Sequence, residues 1–185
     1  MNKNLLIAAV SRKKFKEIVE KMTKEDINNF AFISIENSDV YIEAVRVLYE
    51  INVDNDHILP NKSNVLNLNF DDISKEEMLI EDCTSGRKVV PKEHRNKFYL
   101  KCISEEDSDR SIDFIEKNLD KNLLIHCSAG KSRSQAFFRF IVDYYYPNYV
   151  EHGINLEFPC TTPNICVLNN LKKSYIRKND KANSL

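Results

Sequence analysis

Residues 123–138 read LLIHCSAGKSRSQAFF, and this segment passes from an apolar run through a small polar turn into a second apolar pattern. The run that ends at His126 predicts a short buried strand. The pattern over 132–146, which stops before Pro147, predicts a helix. A tight polar loop between a strand and a helix is typical of α/β proteins, in which ligands bind at the carboxyl ends of parallel strands.

The same alternation of strand and helix patterns extends over most of the chain. Apolar or alternating runs predict strands over 4–10, 30–35, 64–70 and 122–126. Apolar residues at helical spacing predict helices over 11–22, 38–52, 104–119, 132–146 and 163–178. We therefore predict an α/β fold, a single domain with a largely parallel central sheet of about four to five strands flanked by helices.

Two segments stand outside this alternation. Residues 75–103 contain two apolar stretches around Ser85 and Gly86, a pattern that fits either a hairpin or an irregular insert. Residues 178–185 are polar and follow the last helical pattern, so we expect a flexible tail there. The predicted domain therefore covers residues 1–177, with 75–103 as its insert.

Composition and charge exclude several classes of protein. The chain has 185 residues, of which 42% are hydrophobic and 30% charged, and its net charge is -1. This mix is that of a globular domain. A near-neutral chain does not coat nucleic acid or an anionic membrane through bulk charge, so we expect no nucleic-acid partner. The apolar run at 5–10 is too short for a secretory signal or a membrane span.

The five cysteines indicate reduced thiols rather than a disulfide framework or a zinc site. Their number is odd and no CxxC occurs. Disulfides are rare in reducing compartments, so the expected localisation is cytoplasmic. One of these thiols, Cys127, stands at the start of the polar loop.

The loop from Cys127 to Arg133 carries residue types that suit a phosphate group. Successive backbone N–H groups can curl into an anion-binding nest, and the following helix N-terminus adds partial positive charge. Arg133 supplies a planar fork that matches two phosphate oxygens, and Gly130 permits a bend where a Cβ would clash. The same positive surroundings favour the nucleophilic thiolate form of Cys127. Ser134 can donate a hydrogen bond to its sulfur, which helps the sulfur to leave in a later step.

The sequence HCSAGKSRS at 126–134 resembles the signature loop of the cysteine-based protein tyrosine phosphatase superfamily, and the size of the chain resembles its compact dual-specificity branch. The resemblance implies a phosphatase whose partners are phosphorylated proteins, through phosphotyrosine and also phosphoserine or phosphothreonine. Cys127 would attack phosphorus to form a phosphocysteine, Arg133 would hold the equatorial oxygens, and water would release phosphate. The resemblance implies no metal ion and no other cofactor, since the loop and the arginine stabilise the phosphate charge.

The resemblance also assigns roles to the rest of the loop. The residues that would surround the phosphate are Ser128, Ala129, Gly130, Lys131, Ser132 and Arg133. His126 would orient the loop by hydrogen bonds rather than transfer protons. Lys131 is either solvated or adds charge for a polyanionic substrate.

A phosphatase of this type also needs a general acid, usually an aspartate on a loop after an earlier strand. NLNFDDI at 67–73 follows the third predicted strand, and its FDD resembles the acid loop of compact family members. We expect Asp72 to protonate the leaving group, with Asp71 as the second choice. For either residue, an Asx turn or a helix cap is the alternative role. The added length in 75–103 leaves Asp82 open as another acid.

Two other functions fit the same residues. One is hydrolysis of a non-protein phosphate, such as a phosphoinositide or an RNA 5′-triphosphate. Lys131 stands where inositide-directed relatives are basic, although Ser128 stands where they often carry a second lysine. The other is a catalytically weak module that binds a phosphorylated ligand. A substrate panel separates the first from a protein phosphatase, and any turnover excludes the second.

Overall fold

The computed structural model describes residues 5–49, 55–73, 77–79, 99–147 and 163–182. Strands and helices alternate over most of these ranges. In chain order the elements are β1 (Ile7–Ser11), α1 (Arg12–Val19), α2 (Lys24–Asn29), β2 (Phe30–Glu36), α3 (Asp39–Tyr49), β3 (Val65–Asn69), β4 (Glu77–Leu79), β5 (Tyr99–Lys101), α4 (Glu105–Lys117), β6 (Asn122–Cys127), α5 (Arg133–Tyr145) and α6 (Ile165–Ala182).

The central sheet has four strands in the order β1-β6-β2-β3, and every neighbouring pair is parallel. The predicted α/β fold with a parallel sheet is therefore confirmed. Strand β6 lies between β1 and β2, and its His126 stands in register with both Val10 and Ser34. The carboxyl end of β6 is thus placed at the centre of the sheet edge, where parallel α/β folds bind their ligands.

Helices cover both faces of this sheet because the strands alternate their apolar side chains between two cores. The larger core joins one face to α4, α5 and α6, and its fully buried side chains include Ile33, Ile35, Leu123, Ile125, Phe137 and Phe140. The smaller core lies against α1, and its members are Ala8, Val10, Phe15, Phe32, Val65 and Leu124. Burial on both faces explains the nearly continuous apolar runs of β1, β2 and β6.

Two helical boundaries differ from the sequence prediction. The helix predicted over 11–22 ends at Val19, and a second short helix begins after Thr23. Thr23 and Asp26 form a capping box there, each side chain bonded to the other's backbone N–H, which starts a new helix. At the other end of the chain, α6 continues to Ala182, into the segment predicted as a tail. Arg177 and Lys178 form ion pairs with carboxylates of α4, which hold this end of the helix.

The segment 75–103 lies mostly outside the described residues, and so do Asp82, Cys83, Ser85, Gly86 and Cys160. Its two ends, β4 and β5, pair in antiparallel fashion as a separate two-stranded sheet. An antiparallel pair is what the hairpin interpretation requires. Within the described ranges, no helix combines the length and apolar character that a membrane crossing needs.

Candidate active site

The thiol of Cys127 lies at the base of the loop that joins β6 to α5. Cys127 is the last residue of β6, and only 2% of its surface is exposed. Its Sγ lies 3.2 Å from the Oγ of Ser134, which is buried in the first turn of α5. The sulfur therefore has a hydroxyl within hydrogen-bonding distance on the helix side.

Gly130 fixes the shape of the loop because it lies directly against the backbone of β1. Its φ is 74°, in the left-handed region that favours glycine. A Cβ built at this position would stand 2.5 Å from the N of Ser11 and 2.6 Å from the C of Val10. Both contacts are with main-chain atoms, which cannot rotate away. The predicted clash of a side chain at Gly130 is confirmed.

The carbonyl groups of the loop are bound by donors from the surrounding structure. Ser128 O accepts from the backbone N of Arg12 at 3.2 Å, and Gly130 O accepts from Nε2 of the buried Gln135 at 2.9 Å. These bonds tie the loop to α1 on one side and to α5 on the other. The side chains of Ala129 and Lys131 are exposed at the rim.

The guanidinium of Arg133 is held between the carboxyl ends of β2 and β3. Nη1 donates to Glu36 O at 3.0 Å and to Phe70 O at 2.6 Å. Nη2 donates to Asn37 Oδ1 at 2.9 Å and to Ser128 Oγ at 3.1 Å. Because each terminal nitrogen donates to two acceptors, the planar guanidinium is held in a single orientation.

One N–H group of this guanidinium has no acceptor among the described residues. Arg133 is 3% exposed, and its Nε is buried without a hydrogen-bond partner in the part of the chain that the structure describes. Buried N–H groups in native proteins almost always have an acceptor, which is a protein atom, an ordered water or a bound ion. A bound anion at the loop would supply that acceptor.

Asp72 reaches the same loop from the residues that follow β3. Its Oδ1 accepts from Ser132 Oγ at 2.5 Å and from Asn164 Nδ2 at 2.8 Å. Asn164 is itself fixed, since its Oδ1 accepts from the backbone N of Val167 in the first turn of α6. The carboxylate of Asp72 is exposed, so solvent or a substrate can approach its second oxygen.

Asp71 faces the opposite way, although it is the adjacent residue. Its carboxylate is 1% exposed and accepts from the backbone N of Ser38 at 3.0 Å and from Ser38 Oγ at 2.6 Å. Ser38 stands immediately before α3, so Asp71 secures the entry to that helix. The structure brings Asp72, and not Asp71, to the loop.

His126 is buried beneath the loop as a neutral imidazole. Burial, with help from the positive charge of Arg12, lowers the pKa of His126 to about 3. Its Nε2 lies 2.8 Å from the Oγ of Ser34, and its ring packs on Phe15 with centroids 4.1 Å apart. At neutral pH this residue adds no charge to the site.

Three residues of the site were not singled out from the sequence. Glu36 and Asn37 supply acceptors to Arg133, and Asn164 holds Asp72. Glu36 and Asn37 end the apolar run of β2, so the rule that selects residues after strand ends would have found them. Asn164 was signalled only as the residue after Pro163 at a predicted helix start.

No family model matches the chain, and no curated protein matches it. Among solved structures, the chain is similar to the human tyrosine phosphatase-like serine/threonine/tyrosine-interacting protein. The two are 16% identical with a TM-score of 0.35, over 92% of this chain and 87% of that chain.

Proposed function

We propose that this protein is a cysteine-dependent phosphomonoester hydrolase of the protein tyrosine phosphatase type. One observation carries the proposal: one short loop between β6 and α5 holds the buried thiol of Cys127 and the Nε of Arg133, which has no acceptor within the described ranges. A nucleophile and a cationic hydrogen-bond donor on the same loop are what attack on a phosphate dianion requires.

In the first step, the Cys127 thiolate forms a bond to phosphorus as the bond from phosphorus to the ester oxygen breaks. Arg133 contributes its Nε–H and the Nη2–H now bonded to Ser128 Oγ to two equatorial oxygens. Asp72 gives its proton to the leaving oxygen. The products are a phosphocysteine, the free alcohol and an ionised Asp72.

In the second step, water attacks the phosphocysteine and the thiolate leaves. Asp72 takes a proton from this water as the oxygen bonds to phosphorus, which restores the acid for the next turnover. Ser134 Oγ, at 3.2 Å from the sulfur, donates a hydrogen bond to the departing thiolate. The loop and Arg133 hold the phosphate oxygens throughout.

The proposed substrates are phosphorylated proteins, with phosphotyrosine and also phosphoserine or phosphothreonine as the reacting groups. Support comes from the signature sequence at 126–134 and from the single exposed basic side chain of the loop, Lys131. A polyanionic substrate, such as a phosphoinositide or an RNA 5′-triphosphate, would place more negative charge beside this lysine.

The test is hydrolysis of p-nitrophenyl phosphate in EDTA and reductant, with wild type compared with Cys127→Ser. We expect the variant to lose all turnover and to keep phosphate binding, because serine retains the loop but is a far weaker nucleophile. Cys166→Ser, at a half-buried thiol of α6, is the matched control and should keep wild-type rates.

Equal turnover in wild type and Cys127→Ser would refute the assignment of Cys127 as the nucleophile. If the wild type is inactive but vanadate still raises its thermal stability, the protein would instead be a module that binds phosphorylated ligands. If wild type is active, a panel of phosphopeptides, inositides and 5′-triphosphorylated RNA then separates the substrate classes.

A further inference from the structure

The buried guanidinium of Arg133 has only uncharged hydrogen-bond acceptors in the part of the chain that the structure describes. They are the main-chain oxygens of Glu36 and Phe70, the amide oxygen of Asn37 and the hydroxyl of Ser128. Within the described ranges, no carboxylate forms an ion pair with this guanidinium. Buried charges in proteins are normally paired, whereas the acceptors of this one supply dipoles but no negative charge.

Three carboxylates follow the same strand ends, and each is bonded to a group other than this guanidinium. Glu36 pairs with Nε of Arg12 at 2.9 Å, on the far side of its own main chain. Asp71 accepts two hydrogen bonds from Ser38. Asp72 accepts from a hydroxyl of the loop and from an amide that precedes α6. The side-chain acceptors that orient Arg133 are therefore neutral although acids stand close by in the sequence.

The main chain of Asn37 is held by two other amide side chains. Asn55 Oδ1 accepts from the backbone N–H of Asn37 at 3.0 Å, and Asn55 Nδ2 donates to Asn37 O at 2.9 Å. Asn69 Nδ2 donates to the same oxygen at 3.3 Å. A guanidinium nitrogen only donates, so the Asn37 atom that lies 2.9 Å from Nη2 of Arg133 is the amide oxygen. The fixed main chain thus presents a neutral acceptor to the guanidinium.

We infer that Asn37 is a positioning residue that makes the loop favour doubly charged phosphate groups, such as phosphomonoesters, over singly charged ones, such as phosphodiesters. It orients Arg133 through a neutral oxygen, so the hydrogen bond leaves the charge of the guanidinium intact. A carboxylate at position 37 would accept the same hydrogen bond, but it would neutralise the guanidinium and repel an anion in the loop. The inference deepens the proposed function and rests on it, since it concerns the ligand of the same loop.

The test compares wild type with Asn37→Asp in binding two tetrahedral oxyanions of nearly equal size, the dianion tungstate and the monoanion perrhenate. The new carboxylate keeps an oxygen for Nη2 and is ionised at neutral pH beside the guanidinium. We expect the affinity for tungstate to fall about 10- to 100-fold and that for perrhenate about 3- to 10-fold, because Coulomb repulsion scales with the charge of the ligand. Titration calorimetry at neutral pH measures both affinities.

Two further variants separate the added charge from the orientation of the guanidinium. Asn37→Ala removes one acceptor of Arg133 without adding charge, so both anions should lose affinity by the same factor. Val40→Asp adds the same charge at an exposed position in the first turn of α3, where the helix dipole favours an acid. An exposed charge is screened by salt, so its affinities should stay within about 2-fold of wild type.

The stability of the same variants provides a measurement without a ligand. In buffer free of phosphate, sulfate and tungstate, Asn37→Asp gives the buried guanidinium a counterion, so the midpoint of urea unfolding should rise. Asn37→Ala leaves a buried N–H group without its acceptor, so its midpoint should fall. If Asn37 were merely structural, both variants would lose stability.

The kinetic measurement depends directly on the proposed function. The kcat/KM of Asn37→Asp for p-nitrophenyl phosphate should fall by the same factor as its affinity for tungstate. KM should rise more than kcat falls, because the phosphate dianion carries its charge before the reaction begins.

Equal losses for tungstate and perrhenate in Asn37→Asp, or no loss for either, would overturn the inference, and so would a lower urea midpoint for this variant. A wild type that turns over p-nitrophenyl phosphate in this case would leave the proposed function standing. A wild type that binds tungstate without any turnover would refute the proposed hydrolase, and the ratio of the two anion affinities would still decide the role of Asn37. A wild type that binds neither anion would refute both.

Discussion

The loop between Cys127 and Arg133 is held by main-chain contacts on one side and by side-chain contacts on the other. On the side that we call the β1 flank, Gly130 lies against the main chain of Val10 and Ser11, and Ser128 O is bonded to a backbone N–H. On the side that we call the α6 flank, the contacts join side chains: Ser132 to Asp72, and Asp72 to Asn164. Gly130 and Val10 of the first flank are buried, whereas Asp72 of the second flank is exposed and Ser132 is half-buried.

The β1 flank therefore determines the shape of the loop, and the α6 flank supplies a group that can take part in the reaction. Main-chain contacts cannot change partners without moving a strand, so the β1 flank sets the curvature of the loop. Side-chain contacts can exchange one partner for another within a fixed backbone. The α6 flank can therefore release Asp72 to a substrate while the loop keeps its form.

The largest expected effect comes from Gly130→Ala on the β1 flank. The new Cβ would lie 2.5 Å from Ser11 N at a φ of 74°, so either the loop or β1 must move. We expect a loss of about 3 kcal/mol in the free energy of unfolding, together with loss of phosphate binding. Urea unfolding and vanadate binding measure the two losses.

Lys131→Ala provides the control for Gly130→Ala because it changes an exposed neighbour in the same loop. Its free energy of unfolding should stay within about 0.5 kcal/mol of wild type. If Gly130→Ala were as stable as Lys131→Ala and still bound vanadate, main-chain contact with β1 would not set the loop shape.

On the α6 flank, Asp72→Asn should affect the rate and leave stability nearly unchanged. The amide keeps an oxygen for Ser132 and Asn164, but it cannot deliver a proton to the leaving group. We expect kcat to fall about 10²-fold, and more for phenyl phosphate than for p-nitrophenyl phosphate, because a poor leaving group depends more on the acid. Steady-state kinetics with both esters measure this difference.

Asp71→Asn is the matched variant at the adjacent carboxylate. Asp71 bonds to Ser38 at the start of α3, so its change should cost about 1 kcal/mol of stability and leave kcat close to wild type. The opposite pattern, with the rate lost at Asp71 and kept at Asp72, would exchange the two assignments.

The sheet and the loop could be predicted because their signals are local. The apolar runs of β1, β2 and β6 and the alternating pattern of β3 predict strands, and the glycine in the loop indicates a backbone position that tolerates no side chain. The additional helix α2 had its own signal, a threonine followed by an aspartate three residues later, which is a capping pattern.

The partners of the site residues could not be predicted because they are distant in sequence and partly main chain. Arg133 bonds to the carbonyls of Glu36 and Phe70, and any residue at those positions would present the same carbonyl. The FDD pattern selected two carboxylates but not their directions. Their directions differ because Asp71 contacts Ser38 before α3, whereas Asp72 contacts Asn164 before α6.

The remaining expected effect concerns acid and the β1 flank, where His126 stands in register with Val10 and packs on Phe15. Folding lowers the pKa of His126 from 6.5 to about 3, so the unfolded chain binds a proton here that the folded chain refuses. Proton binding therefore stabilises the unfolded state as the pH falls below 6.5, and the free energy of unfolding falls. Between pH 7 and pH 5 this residue should remove about 2 kcal/mol from the free energy of unfolding.

In His126→Gln, urea unfolding should show a stability that is lower at pH 7 but falls by about 2 kcal/mol less over the same interval. An equal fall in both proteins would mean that other groups, and not the imidazole beneath the β1 flank, make the fold sensitive to acid.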